Sequence, residues 1–349
     1  MVRFSVVITS FNYLAFLEHC IESVLLQDYP SFELIVVDDG STDGSRDLIA
    51  GYSTAGKLRR VFHDINRGHG GAINSGFSEA DGEVVLFLDA DDFLLPGALS
   101  ELNRCHSEEV AQYQYRMQLV DESGQPFDIF PQPEVPLDSG LIADKILATG
   151  RYNTTVTSGL AFSAAALGKV MPMEEELFRQ GGDGFLATIV PLYGEVLSID
   201  KPLAAYRQHG KNHSQFLKNL VKRARWCLEH DANRYSALRD HAQKLGLDVH
   251  EPLGDADILH LEQRMVRVLV DPECPLSEKA KRRGIAGLAL RALCQQEVRG
   301  WRTSVLKVWW RSLGFGPVPL ASTLLQWKLE SSSRPEIVKN IAKALRRHG

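Results

Sequence analysis

The first hundred residues alternate apolar, strand-like runs with helix-like stretches, and this alternation limits the fold more than any other feature. FSVVIT (4–9), FELIVVD (32–38), LRRVFH (58–63) and VVLFLD (84–89) read as strands. LAFLEHCIESVLLQ (14–27), a stretch beginning SRDLIAGY (45–52), and GGAINSGFSEA (70–80) carry helical periodicity between them. Helices of this length between strands imply parallel pairing through right-handed crossovers. The expectation is an α/β fold with a doubly wound, mostly parallel central sheet. Ligands of such sheets bind at the carboxyl ends of the strands.

Further along, a helix is expected from Pro96 to about Cys105, then a strand and turn in VAQYQYRMQLVDESGQP. The proline-rich stretch 126–140 reads as a loop or small hairpin. A helix is expected over 141–148 and another near 182–193, then two short strands at 196–199 and 203–206. From 216 onward the pattern is wholly helical. The chain therefore reads as a domain over 1–214 and a C-terminal helical region over 215–349.

Each strand end carries polar residues, and each admits two readings. Thr9-Ser10-Phe11-Asn12 suits a helix cap or a ligand floor. In VVDDGSTDGS, turn and cap chemistry accounts for Ser41, Thr42 and Asp43. It leaves Asp38-Asp39 unexplained, and a carboxylate there can accept hydrogen bonds from a base or sugar. NRGHGGAINSG (66–76) suits phosphate binding at a helix N-terminus or simply a tight turn. It is no dinucleotide fingerprint, because Ile73 stands at the third glycine position, and it is no P-loop. In VVLFLDADD, Asp89 and Asp91 are two apart and face one side of an extended chain, with Asp92 facing the other. A divalent cation that takes further ligands from phosphate and water would offset their repulsion.

Taken in order and spacing, VVITSFNY, ELIVVDDGSTDGS, NRGHGGAINSGFSEADGE and LFLDADD closely resemble the family 2 glycosyltransferases of GT-A fold. The resemblance is strong over about 3–110 and weaker through TSGLAF, GGDGFL and YRQHGKNHS to about 214. It implies a nucleotide-sugar half over about 1–110 and an acceptor half over about 111–214. It implies that Thr9 and Phe11 line the base, that Asp39 accepts from it, and that Asn66 lies near the nucleoside. By the same resemblance Asp89 lies near the ribose or donor sugar, and Asp91 binds a Mn2+ or Mg2+ ion that bridges to the diphosphate. Asp183 takes the place of the catalytic base, although Gly182 precedes it where the family often has Glu. His209 resembles a histidine that completes the metal shell in some members.

The activity so implied is inverting, metal-dependent, hexosyltransferase-like transfer from a UDP-linked sugar to the hydroxyl of a glycan or lipid-linked acceptor, in cell-surface polysaccharide assembly. Two alternatives stand beside it. Haloacid-dehalogenase phosphatases also place D-x-D after an apolar strand, but Phe93 and Ala187 stand where that family wants Thr or Val and a further Asp. A non-catalytic nucleotide-sugar-binding protein would explain Gly182-Asp183, though not the other polar strand ends.

Charge is split along the chain. Residues 1–214 hold 15 basic and 30 acidic side chains; residues 215–349 hold 24 and 14. The acidic front argues against nucleic acid as a partner. The basic back, with KAKRRG at 279–284, ALRRHG at the end, and Trp301, Trp309, Trp310 and Trp327 between, suits an anionic membrane surface through 279–347. The other reading is a helical subdomain that packs its tryptophans against the catalytic domain. The five cysteines are scattered, with no C-x-x-C pair, which fits a reducing compartment. No signal peptide is read at the start. The expected location is the cytoplasm, peripheral at the inner face of the cell membrane.

Overall fold

The computed structural model describes residues 1–52, 58–210, 219–295 and 301–330. It divides into two compact units, Met1–Asn212 with Asn233–Val249, and His213–Ala232 with His250–Gly349.

The first unit opens with β1 (Phe4–Ser10), α1 (Leu14–Leu25), β2 (Phe32–Asp38), α2 (Ser45–Gly51), β3 (Leu58–Phe62), α3 (Gly68–Ser78) and β4 (Val84–Asp89). These strands lie in the order β3-β2-β1-β4, all parallel. Every residue of β1 and β2 is buried, as expected of a strand covered on both faces. The register pairs Thr9 with Asp89 and Ser10 with Asp38, so the polar ends of three strands reach one level at one sheet edge.

Beyond β4 the sheet turns mixed. The chain continues through β5 (Phe93–Leu94), α4 (Ala98–Arg104), β6 (Val110–Val120), β7 (Pro126–Phe130), α5 (Ala143–Thr149), β8 (Leu160–Ser163), α6 (Ala164–Val170), α7 (Gly182–Ile189) and β9 (Glu195–Arg207). Strand β8 runs antiparallel to β4 and to β6, while β6 and β9 form a long parallel ladder. Strand β7 makes the hairpin partner of β6. The result is a mixed, mostly parallel GT-A-like sheet followed by a helical C-terminal region. One expectation fails in detail: the two short strands at 196–199 and 203–206 are a single strand. Asp200-Lys201-Pro202 looks like a break, but register shifts around Arg116 absorb the irregularity and the ladder continues.

Helix α8 (Leu220–Leu245) contributes its residues up to Ala232 to the second unit and those from Asn233 to the first. The second unit also holds α9 (Ile258–Val270), α10 (Leu276–Lys279), α11 (Arg282–Gln295), α12 (Trp301–Phe315) and α13 (Val318–Leu329). Its core joins Leu261, Met265, Ile285, Ala289, Trp310 and Leu325. Asp257 caps α9 by accepting from the backbone N–H groups of Leu259 and His260. Trp310 is fully buried in this core, and Trp309 donates from Nε1 to the carbonyl of Leu324. These two tryptophans therefore serve the second unit's own packing. Among the described residues no helix is long and apolar enough to cross a membrane.

Helix α3 is held tightly to the sheet. A Cβ on Gly76 would lie 2.2 Å from Val7 Cγ1, inside the fully buried β1. Gly76→Ala is therefore expected to lower stability by about 1–3 kcal/mol in urea unfolding, since Val7 has no free space into which to retreat.

Candidate functional site

The end of β4 places Asp89, Asp91 and Asp92 in a turn closed by the Asp92 N–H donating to the carbonyl of Asp89 (2.9 Å). Asp91 and Asp92 are buried, whereas Asp89 opens toward the surface. Burial pushes the Asp92 carboxyl well above the usual carboxylate range, and Asp91 and Asp89 add to the rise. Arg207, at the end of β9, lies beneath this turn and is itself buried. Its Nε donates to the carbonyl of Asp91 (2.9 Å), its backbone N–H to Asp92 Oδ1 (2.9 Å), and its Nη1 to the carbonyl of Glu122 (2.9 Å). Its Nη2 meets His19 Nδ1 at 2.9 Å, and the guanidinium lies over the rings of Phe16 and Phe93. A cation thus sits inside the protein, bonded to the backbone of the acidic turn.

Above the turn, His209 Nε2 pairs with Asp91 Oδ2 at 3.0 Å, and its ring packs on Phe16 and edge-on to Tyr13. Asp89 Oδ1 lies 3.5 Å from Thr9 Oγ1 and 3.6 Å from His69 Nε2. Burial raises the Asp89 pKa, His69 opposes the rise, and Asp91 and Asp183 reinforce it. The field of Asp183, at the start of α7, thus reaches Asp89. The Asp183 carboxylate is half-buried and makes no hydrogen bond to a described residue. The sequence-predicted Thr9, Asp89, Asp91, Asp183 and His209 therefore share one locality.

Asp39 has a different environment. Its Oδ1 accepts from the Arg67 N–H (2.8 Å) and pairs with His63 Nδ1 (2.6 Å), and its Oδ2 accepts from the Gly68 N–H (2.7 Å). His63 Nε2 meets Ser75 Oγ at 2.9 Å. Asn66 donates to the carbonyl of Asp39 and accepts from Arg179. Asp39 and Asn66 thus hold the segment that leads into α3. Phe11 is exposed; beside it, Asn12, Tyr13, Leu14, Ala15, Phe16 and Asp43 line a cleft of about 270 Å3. Asn12 takes φ 60°, a value asparagine tolerates, and its Oδ1 accepts from the Thr42 N–H.

The glycine-rich lead into α3 resolves between its two readings. The N–H groups of Arg67 and Gly68 go to Asp39, and those of His69 and Gly70 go to the carbonyls of Arg179 and Phe178. These amides serve the protein, so the motif is a packing device and not an open phosphate cradle. A strap over 173–182 lies on it. A Cβ on Gly68 or Gly70 would meet the Arg179 or Phe178 carbonyl oxygen at 2.4 or 2.7 Å. Asn74 exchanges hydrogen bonds with the backbone of Met173, and Arg67 pairs with Glu175 through two nitrogens. At Gly182 a Cβ would lie 3.0 Å from Ile73 Cδ1 and 3.2 Å from Met173 Sδ. That contact accounts physically for glycine before Asp183.

Sequence reasoning missed Arg207, His63 and His69. Arg207 stands two residues before His209 in YRQHGKN but gives no local signal of its long-range partners. Asp91 Oδ2 and His209 Nε2 lie 3.0 Å apart, in contact with each other; a divalent cation held here would have to part that pair and take one oxygen and one nitrogen donor from it. Among the described residues no group of three or more His, Cys, Asp or Glu is gathered as for a metal ion. An ion there would draw further ligands from phosphate and water.

Comparison with known proteins follows this geometry. Residues 5–120 match the family described as Glycosyl transferase family 2. An uncharacterized glycosyltransferase of Nostoc sp. is 36% identical over 214 residues, 60% of this chain and 66% of its own length. The Campylobacter jejuni GalNAc(5)-diNAcBac-PP-undecaprenol beta-1,3-glucosyltransferase is 37% identical over 211 residues, 59% of this chain and 65% of its own. The chain thus spans just under two thirds of the length of these relatives. The crystal structure of Staphylococcus aureus TarS residues 1–349 with UDP-GlcNAc shares the fold, with a TM-score of 0.55 at 19% identity, over 93% of this chain and 91% of that one. The Pyrobaculum calidifontis mannosyltransferase with GDP-Man and Mn2+ does so with a TM-score of 0.51 at 17% identity, over 93% and 84%.

Arg207→Met removes the buried cation from beneath the carboxylates. Urea unfolding is expected to show a loss of about 3 kcal/mol. Arg207→Lys is expected to recover less than half of it, because one ammonium cannot serve Asp91, Glu122 and His19 together. Wild-type stability in Arg207→Met would remove Arg207 from this role.

Proposed function

We propose that the protein is an inverting glycosyltransferase, a reading supported by the match of residues 5–120 to the family described as Glycosyl transferase family 2. It moves a sugar from a UDP-linked donor to a hydroxyl of a glycan or lipid-linked acceptor during cell-surface polysaccharide assembly. The observation that carries this reading is Asp183: a carboxylate without a hydrogen-bond partner among the described residues, whose field reaches Asp89 at the shared strand edge. The names of relatives support the substrate classes, with an undecaprenol-linked glycan in one and UDP-GlcNAc in another.

In this reading residues 1–214 form the catalytic domain, with donor contacts before about 110 and acceptor contacts after, and 215–349 is a helical addition. Phe11 and Thr9 line the base and ribose side. Asp39 and Asn66 hold the nucleoside end by fixing the lead into α3. Asp89 accepts from the hydroxyls of the ribose or donor sugar. Asp183 takes the proton of the acceptor hydroxyl as that oxygen bonds to the anomeric carbon. The bond from the anomeric carbon to the diphosphate oxygen breaks, and the sugar inverts. Asp91 and His209 would hold a Mn2+ or Mg2+ ion, which neutralises charge on the departing diphosphate when bound. The strap over 173–182 keeps Asp183 at a fixed height above the strand edge, and holding the two reactants in line supplies much of the rate.

The test is a panel of nucleotide sugars with Mn2+ or Mg2+, scored by thermal shift and then by transfer. Asp183→Asn is expected to lower kcat about 10^2- to 10^4-fold while donor Kd stays within about threefold. Asp91→Ala is expected to weaken metal-dependent donor binding about tenfold or more. Transfer at the wild-type rate by Asp183→Asn would assign the base elsewhere. Release of phosphate from simple esters without a nucleotide sugar would favour a phosphatase.

A further inference from the structure

Helix α12 wears its apolar residues on both sides. One face holds Trp310 and Leu313 in the core of the second unit. The opposite face carries Val305, Val308 and Phe315, which recur at helical spacing together with Ser312. The chain then turns through Gly316-Pro317 into α13, whose first turn adds Val318 and Leu320. These five large apolar side chains are each between 51 and 61% exposed. Single exposed apolar residues need no explanation, but five within sixteen positions mark a surface that something covers.

The charge around this face narrows the choice of what covers it. Residues 301–329 contain four basic side chains and no acidic one. Arg311 is exposed on the apolar face itself, and Arg283 of α11 lies with its guanidinium 5.9 Å from the Phe315 ring centre. Arg283 extends the basic rim, and Lys281 beside it is paired with Glu278 at 2.6 Å. A second copy meeting this face about a two-fold axis would set Arg311 and Arg283 against their own equivalents, a like-charge contact. Residues 331–349 hold five basic and one acidic side chain, so this segment also has the wrong sign. An apolar stripe rimmed by Arg and Lys, with no carboxylate within it, matches the headgroup region of an anionic bilayer.

We infer that the face formed by Val305, Val308, Phe315, Val318 and Leu320 inserts shallowly into an anionic membrane surface, with Arg311 and Arg283 at the headgroups. The tryptophans do not make this contact: Trp310 lies in the core and Trp309 is bonded to Leu324. The attachment deepens the reading of a lipid-linked acceptor, but its test needs neither donor nor acceptor, so either can fail alone.

The full-length chain would be sedimented with phosphatidylglycerol–phosphatidylcholine vesicles and with pure phosphatidylcholine vesicles at about 0.1 M salt. Binding is expected only to the anionic vesicles. The double substitution Val308→Glu with Phe315→Glu is expected to weaken it about tenfold or more. Lys281→Gln, Arg283→Gln and Arg311→Gln combined should weaken it by a similar factor and flatten its salt dependence. Both variants change exposed side chains, and an unchanged melting temperature would verify that they fold. Failure to bind anionic vesicles, or undiminished binding by the Val308/Phe315 variant, overturns the inference. So does a concentration-dependent dimer that this variant abolishes, because it assigns the face to a second copy.

Discussion

Arg207 reaches from the end of β9 beneath the Asp89–Asp92 turn, and the rest of the site is arranged around that contact. Three carboxylates at the end of a buried strand repel one another, and burial raises the pKa of Asp89 and Asp92. The Arg207 guanidinium is a cation beneath that turn, and its planar fork lets one side chain bind two carbonyls and a ring nitrogen at once. Because the Arg207 backbone N–H also holds Asp92, β9 and the end of β4 are fixed to each other. His209, two residues further on, is thereby delivered to Asp91. The mixed half of the sheet is thus what completes the parallel half's polar edge.

A second constraint runs through α3. Its glycines are small on three sides for three different neighbours. Gly76 meets Val7 of the sheet, Gly68 and Gly70 meet the carbonyls of the strap, and Gly71 would place a Cβ 2.6 Å from Arg67 Cβ. The helix is squeezed between β1 and the segment that carries Asp183. Packed interiors transmit such displacements because they have little free volume. The segment that leads into α3, fixed through Asp39 and Arg67, and the segment before Asp183, fixed through Glu175, Phe178 and Arg179, therefore share one rigid support.

What the sequence made legible follows from this architecture. Strand and helix periods are local signals, so β1 to β4 and α1 to α3 could be read to within a few residues. Parallel strands that start and stop in register also bring their polar ends to one edge, so Thr9, Asp89 and Asp91 could be grouped without coordinates. Partners more than a hundred positions apart leave no such trace. Nothing near Arg207 announces Asp91 and Asp92, and nothing in NRGHGG says that its amides face Phe178 and Arg179 in place of a ligand. The continuity of β9 was hidden for a related reason. Asp-Lys-Pro is a breaker in isolation, and only its pairing with β6 carries the strand through it.

The charge balance at the strand edge also bears on how a ligand can arrive. Arg207 offsets part of the carboxylate charge, but from below, where it is buried among Phe16, Phe93 and backbone carbonyls. The side open to solvent presents Asp89 with Asp183 near enough to oppose its ionisation. A diphosphate that approached this rim bare would meet carboxylates of its own sign, and desolvation on entry would strengthen the repulsion. A divalent cation held by Asp91 and His209 would offset that repulsion. An acidic edge of this kind would favour an anionic ligand that arrives with a divalent cation over one that arrives bare.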